Sequence, residues 1–466
     1  MYSESQIDPV VNFHNTQGEA VRATIVNLQR KALVMEVYNP YSIVQVSEVL
    51  SELTIRLGIK NAYIGKAVVI SMVNTGLTAL VSVALIDDWR ELSNVALTPG
   101  ALKREADNFV REWDGRFAVR RDYQIVVNEM RGYLAEVARW VEQVDMSSTL
   151  PKEQGRLRED AFFELAEPLM DKTRGYFDEL NGQATLVDEE QAPSHRVFVQ
   201  GALHPLILRA PFVFRTYTKP LGYAGDYQMV NQILDDPRQG PSTYFQIVNT
   251  AFLQTAVAHA HRNRIGILVQ FLAGLADAAR LTGRVFRVLN VGCGPAVEIQ
   301  RFLKEYPEPH WLSFELVDFS EETLAYTRAT LAALAPRGGR PVAIDYVHDS
   351  VHQLLKRRVG ATPAPTGFGE FDAVYCAGLF DYLSDKVCAR LVAHFASRMR
   401  RGGRLLVTNV HSDNPEKAGM EHLLEWYLIY RDEAKMAALL PPLSTAHRLY
   451  VDPTGVNVFA EASTAC

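Results

Sequence analysis

The chain reads as an α/β protein: a mostly parallel C-terminal sheet finishing in an antiparallel hairpin, preceded by a helical region and a small N-terminal β-barrel. Three observations predict this. A β-branched run breaks at Gly292-Cys293-Gly294-Pro295 and re-enters a helical pattern, strand runs then return at regular spacing, and residues 18 to 98 are rich in short strands separated by turns. At 466 residues the chain exceeds the about 100–200 residues usual for one domain. Four regions follow: 1–100, a small barrel; 101–194, a helical linker or dimerisation region; 195–284, a helical substrate cap; and 285–466, the sheet.

Each element of the sheet can be justified in order. FRVLNV, residues 286–291, is a buried parallel strand that feeds the glycine turn and a helix N-terminus, so backbone can approach a nucleotide-like ligand closely. A dinucleotide fingerprint would carry a third glycine where Val297 stands. LSFELVDFS is a second strand ending in Asp318, either a carboxylate for two ribose hydroxyls or a helix cap. AIDYVHDS ends in His348-Asp349-Ser350, where Asp349 can also cap the helix VHQLLKR. FDAVYCAGLFDYL ends in Cys376-Ala377-Gly378, with Cys376 read as a small buried wall. RRGGRLLVTNV starts at a Gly402-Gly403 turn and ends at His411. RLYVDPTGVNVFAEAS is a pair of strands around the turn Asp452-Pro453-Thr454-Gly455.

The G-x-G-x-A loop with Asn290 two residues before it, the acids Asp318 and Asp349 and the closing hairpin together resemble class I S-adenosylmethionine-dependent methyltransferases. The resemblance implies a Rossmann-like, seven-stranded methyltransferase sheet and S-adenosylmethionine as cofactor. It implies a cradle of Asn290, Gly292, Cys293, Gly294 and Pro295, a ribose site at Asp318 and Phe319, and an adenine site at Asp349 and Ser350. Cys376, Ala377 and Gly378 would then face the sulfonium. The family usually carries Asp or Glu where this chain has Asn290.

Upstream, VRATIVNL, KALVMEVY, LTIRLG, YIGKAVVISMV and LTALVSVALI read as five strands with turns at Asn39-Pro40, Gly58 and Gly76. The stretch AVVISMVNTGLTALVSVALI approaches membrane-span length, but Ser71, Asn74, Thr75 and Gly76 make it strand, turn, strand. The pattern distantly resembles PilZ domains, which bind cyclic di-GMP. Only Arg30-Lys31 stands near that family's arginine pair, and Ser71 and Val73 fall where its second motif should be, so the likeness supports the fold and a docking or dimerising role. In IVVNEMRGYLAEVARWVEQV, apolar residues from Ile125 to Val144 recur at three and four, an amphipathic helix packing on its neighbours.

The candidate acceptor side lies around the sheet. YTKPLGYAGDYQMVNQIL places Tyr217, Tyr223 and Tyr227 beside Gly222, Gly225 and Asp226. This is either a bendable aromatic flap, with Tyr223 and Asp226 toward the cofactor and Tyr217 and Tyr227 toward substrate, or an Asp-assisted turn with core tyrosines. His259 and His261 sit at i and i+2 on a helix, on different faces, and are not a metal pair. HLLEWYLIYRDE reads as an inserted helix presenting Trp426, Tyr427, Tyr430 and Arg431, a tunnel mouth with a cation for a carboxylate or ordinary packing. His411 is the candidate general base and Tyr382 a second catalytic candidate; either could simply orient its loop.

The barrel, PLGYAGDY, the glycine loop and EWYLIYR together resemble bacterial methyltransferases that esterify 3-hydroxy fatty acids into quorum-sensing methyl esters. That implies carboxyl O-methylation of a small-molecule acceptor. O- or N-methylation of another bacterial metabolite, and a signalling protein sensing a cyclic dinucleotide through the barrel, are the alternatives.

A net charge of −6 with short, scattered basic clusters gives no general attraction to nucleic acid. The four cysteines, Cys293, Cys376, Cys388 and Cys466, show no metal or disulfide spacing. The N-terminus has no basic and apolar signal pattern, so the expectation is a cytoplasmic protein without membrane insertion. Barrel edges and amphipathic helices make a homodimer an expectation too.

Overall fold

The computed structural model describes residues 10–14, 20–37, 47–57, 60–74, 79–87, 89, 103, 107, 110, 118–147, 149–188, 191–334, 339–357, 370–440 and 444–464. They form two units, one of residues 1–121 with 186–198, the other of 122–185 with 199–466. The helices expected as separate linker and cap regions are thus mostly part of the same unit as the sheet.

The first unit is a closed barrel of β1 (Val10–His14), β2 (Ala20–Leu28), β3 (Ala32–Val37), β4 (Val49–Leu57), β5 (Lys60–Asn74) and β6 (Ala79–Leu85), in the order β1-β2-β3-β6-β5-β4. Strand alternation fills it: Val11, Phe13, Met35, Leu53, Ile55 and Val81 point inward. Six strands stand where five were expected. The missed one, VVNFH, carries the signal in miniature, with Val11 and Phe13 buried while Asn12 and His14 are exposed. Pairing of β1 with β4, Val10 opposite Arg56, closes the barrel, so the exposed edges expected to favour dimerisation are absent among the described strands. The apolar stretch is strand, turn, strand as β5 and β6; the turns at Asn39-Pro40, Gly58 and Gly76 lie outside the described residues.

In chain order the next elements are α1 (Arg121–Asp145), the short hairpin β7 (Lys152–Glu153) and β8 (Arg156–Leu157), α2 (Glu159–Thr185), α3 (Ala192–Ile207), α4 (Pro211–Thr218), α5 (Tyr227–Leu234), α6 (Thr243–Leu253) and α7 (Ala256–Thr282). The expected stripe of α1 is buried at Val126, Met130, Leu134, Val137 and Val141, whereas Ile125 and Trp140 face solvent. Helix α7 is long and apolar enough to cross a membrane by length and composition. Its Leu268, Phe271, Leu272 and Leu275 lie in one buried cluster with Val288 and Phe314 of the sheet, each worth about 1.5–3 kcal/mol of burial.

The sheet comprises β9 (Phe286–Val291), β10 (Leu312–Asp318), β11 (Ile344–His348), β12 (Phe371–Cys376), β13 (Met399–Val410), β14 (Ser444–Val451) and β15 (Asn457–Thr464), in the order β11-β10-β9-β12-β13-β15-β14. Its helices are α8 (Val297–Glu305), α9 (Glu321–Ala332), α10 (Val351–Arg357), α11 (Asp385–Arg398), α12 (Lys417–Leu423) and α13 (Glu433–Leu439). The first five strands in that order run parallel, and β15 is antiparallel to β13 and β14. Strand order reverses between β9 and β12, which opens a crevice at their C-terminal tips. Gly402 and Gly403 lie within β13 rather than in a turn before it. At the hairpin, Asp452 accepts from the backbone N–H of Thr454, Val456 and Asn457.

Candidate active site

The glycine loop between β9 and α8 is pinned by its neighbours. Gly292 and Cys293 donate their N–H groups to Val317 O, Gly294 donates to Asp318 Oδ2 at 3.0 Å, and Thr327 Oγ1 donates to Gly294 O. Gly292 and Gly294 sit at φ +69° and +52°, and a Cβ built on Gly294 would meet nothing within 4 Å. The loop therefore needs glycine for its turn and presents bare backbone to open space. Cys293 is buried, and burial pushes its thiol well up.

Asp318, at the tip of β10, takes the Gly294 N–H on one oxygen and the Ser320 N–H on the other. Ser320, not Asp318, caps α9 by accepting from Thr323 N. A carboxylate offers about four acceptor sites, so acceptor capacity remains for a ligand hydroxyl. Burial raises its pKa, while the backbone N–H groups at Ser320 and Gly294 oppose that. Asp349 is buried beside it and donates its N–H to Asp318 O; Ser350, not Asp349, takes the N–H of Gln353 at the start of α10. Cys376 is fully buried as a wall, and Gly378 donates its N–H to Thr408 Oγ1. Asn290 corrects the expectation for its side chain: its amide donates to Glu298 Oε1 and to Tyr375 Oη beneath the loop, where Tyr375 also donates to Glu298. Glu298, the acceptor of both, is buried, and burial raises its pKa.

The segment before α5 brings Tyr223 to the loop. Its ring lies 5.6 Å from that of Phe319 and 6.0 Å from that of Tyr382, and Asp318 and Cys293 are among the charges and dipoles acting on it. A Cβ on Gly225 would come within 2.7 Å of Tyr382 Oη, so the close approach of flap and β12 tip requires glycine there. Asp226 is not free for a cofactor: it caps α5 through Met229 N and pairs with Arg215 at 2.7 Å. Tyr227 packs on α9, donating to Glu322 and lying 4.8 Å from the Tyr326 ring. Tyr217 instead stacks edge-on against His204, near Lys219 and Glu425.

The EWYLIYR segment differs most from expectation. Helix α12 ends at Leu423 and residues 425–432 are not helical, with Glu425 at φ +50°. Arg431, fully buried, spends its donors on Asp385 Oδ1, Phe380 O, Asn409 Oδ1 and Leu383 O, so it holds the chain rather than a substrate. Trp426 is buried and Tyr427 half-buried. His411 accepts from Asp413 N at Nδ1 and faces Glu433 from Nε2 at 2.9 Å. Both ring nitrogens are engaged, the geometry of a histidine that orients its loop. Tyr382 is buried, and burial beside Asp381 pushes its hydroxyl up.

Arg264 on α7 escaped the sequence reading, and His261 on the same helix entered it only as half of a rejected metal pair. Arg264 is 7% exposed. A Cβ on Gly378 would lie 3.1–3.4 Å from its guanidinium atoms, which places that guanidinium at the β12 tip. One turn earlier, His261 donates Nδ1–H to Val257 O, and burial followed by Arg264 lowers its pKa to about 3. Its ring lies 6.3 Å from that of Trp426. An apolar helix period masks both, since i, i+3 positions on a core helix read as packing; only the choice of a cation at a buried position could have flagged Arg264. Trp426 and Val257 also line a cavity of about 260 Å³, with Phe177, Phe212, Phe252 and Leu423 on its walls. Among the described residues no cluster of His, Cys, Asp and Glu could hold a metal ion.

A methyltransferase domain family matches residues 288–403, from β9 into β13. No curated protein matches the chain. Among solved structures, an O-methyltransferase family protein from Burkholderia thailandensis is 15% identical over 79% of this chain and 99% of its own, with a TM-score of 0.37. A possible exported protein from Bordetella parapertussis is 16% identical over 74% and 96%, with a TM-score of 0.39. Magnesium protoporphyrin IX methyltransferase from Synechocystis PCC 6803, solved with bound SAH, is 13% identical over 54% and 98%, at 0.34. The sheet with its glycine loop and closing hairpin is a methyltransferase domain, and this chain is an S-adenosylmethionine-dependent methyltransferase.

Proposed function

We propose that this methyltransferase esterifies the carboxylate of a 3-hydroxy fatty acid. The observation that carries the reading is the cavity of about 260 Å³ whose wall includes Trp426, because most of its lining is apolar, with Arg174, Asp178 and Glu416 as its charged members, and the Trp426 ring lies 6.3 Å from that of His261 on α7. An acyl chain suits such a lining, and the reading requires its acid end to extend toward the strand tips.

The residues present fit the cofactor. Gly294 leaves the loop open, Asp318 keeps acceptor capacity for the ribose, and Tyr223 and Phe319 set flat faces beside it. Bound S-adenosylmethionine supplies a methyl carbon on a sulfonium that leaves as a neutral thioether. Tyr223 and Tyr382 offer aromatic faces that attract a cation, at about 0.5–2 kcal/mol each. The loop and strand tips hold donor and acceptor in line, and rate comes from that positioning. A carboxylate acceptor is already ionised near neutral pH and needs no base, in keeping with His411 being tied to Glu433 and Asp413.

Incubation with methyl-labelled cofactor and 3-hydroxydecanoic acid tests the reading. Label should enter the organic phase and be released by mild alkali, as an ester is. Label that survives alkali, or stays with polar amines or protein, would point to O- or N-methylation of another metabolite and overturn the fatty-acid reading.

A further inference from the structure

Two arginines of the sheet's unit are buried, and they differ in one respect. Arg431 has every face of its guanidinium occupied, by Asp385, two carbonyls and Asn409. Arg264 makes no hydrogen bond and no ion pair among the described residues, although it is 7% exposed. The nearest acids are committed elsewhere. Asp381 Oδ1 accepts the Val410 N–H at 2.6 Å, and Glu298 Oε1 accepts from Tyr375 and Asn290. They set a favourable field around Arg264 without filling its donors.

An unpaired buried charge costs several kcal/mol, so an anion that pairs with it relieves that cost. A guanidinium is a planar fork of donors matched to a carboxylate in bidentate geometry. Position adds the second argument. The guanidinium lies against Gly378 just past the β12 tip, where φ is +94° and a Cβ would come within 3.1–3.4 Å of three guanidinium atoms, so glycine there leaves the fork uncrowded. Cys376 and Tyr382 flank it, and the neighbouring His261 is neutral, so no second cation competes for an anion.

We propose that Arg264 is a carboxylate receptor at the tip of β12, binding an incoming carboxylate through two parallel N–H donors. The inference rests on the methyl-transfer reading, which brings two carboxylates to this crevice: the amino-acid end of the cofactor and the acid of the acceptor.

The test compares wild type, Arg264→Gln and Arg264→Lys by calorimetric titration with three probes. These are S-adenosylhomocysteine, 5′-methylthioadenosine (which lacks the amino-acid end), and 3-hydroxydecanoate added to protein saturated with S-adenosylhomocysteine. If the cofactor's carboxylate is bound, Arg264→Gln weakens S-adenosylhomocysteine about 30-fold or more and leaves methylthioadenosine unchanged. If the acceptor's carboxylate is bound, the same loss falls on 3-hydroxydecanoate alone. Arg264→Lys retains charge but not the fork and should lie between. Removing an unpaired charge should leave the melting temperature of the free protein equal or higher, which separates loss of binding from loss of fold. The proposal is overturned if Arg264→Gln binds S-adenosylhomocysteine and 3-hydroxydecanoate within about twofold of wild type, or if the variant melts lower and loses methylthioadenosine equally. Wild type that binds none of the three probes would instead remove the methyl-transfer reading on which the proposal stands.

Discussion

At the level of single residues, the site separates side chains that hold the fold from those that face the crevice. Arg431 and Asp226 carry charge in the segments where sequence alone pointed to ligands, yet their partners are all within the chain. Arg264 carries its charge with none among the described residues. Spacing shows that a charged residue is present but not whether its partner is already in the fold, and this is why the sequence misplaced Arg431 and passed over Arg264. Asp318 and the glycines were legible because strand tip and turn dictate their chemistry locally. Asn290 was legible as the irregular position, but Glu298, its partner across the loop, was not, being a helix residue with an ordinary surface pattern. Arg431→Met should destabilise the protein by about 3–5 kcal/mol, since Asp385 and the carbonyls of Phe380 and Leu383 lose their donor. Urea denaturation measures it. A variant as stable as wild type that binds acceptor poorly would return Arg431 to the substrate.

Elements explain what the residues cannot. Every strand of the sheet was readable from β-branched runs and turns, down to the Asp452 hairpin, because each run is local. The segment 425–432 was not: its apolar positions mimic a helical stripe, but Arg431 and the backbone bond from Ile429 N to Asp381 O draw it out against the β12 tip. Tertiary partners outweigh propensity there. Helix α7 is the element where stability and function meet, since its inner face carries both sheet packing and the His261–Arg264 pair. His261 has a folded pKa near 3, below its unfolded value near 6.5. Its contribution is therefore complete above pH about 6.5 and is lost as pH falls from there toward 3, at up to roughly 1.4 kcal/mol per unit. Buried His195 and half-buried His204 shift the same way. Urea midpoints at pH 7 and pH 5 should fall further for wild type than for His261→Gln; equal falls would show that His261 is already protonated in the fold.

The whole molecule pairs a closed six-stranded barrel with a methyltransferase domain whose helices precede the sheet in sequence. The barrel was foreseen as a barrel but one strand short, because VVNFH is too brief to stand out from its surroundings. Closure leaves its strands no free edge among those described, and Arg30-Lys31 do not make an arginine pair of the kind a cyclic dinucleotide needs. The catalytic reading rests instead on the sheet. Its central claim is that the β9–α8 loop, with Asp318 behind it, takes S-adenosylmethionine rather than a dinucleotide. Isothermal titration of wild type and Asp318→Ala with S-adenosylhomocysteine and with NAD tests that claim most directly. Wild type should bind S-adenosylhomocysteine and ignore NAD, and Asp318→Ala should weaken binding by about 30-fold or more. Binding of NAD with none of S-adenosylhomocysteine, or full affinity in Asp318→Ala, would contradict the account.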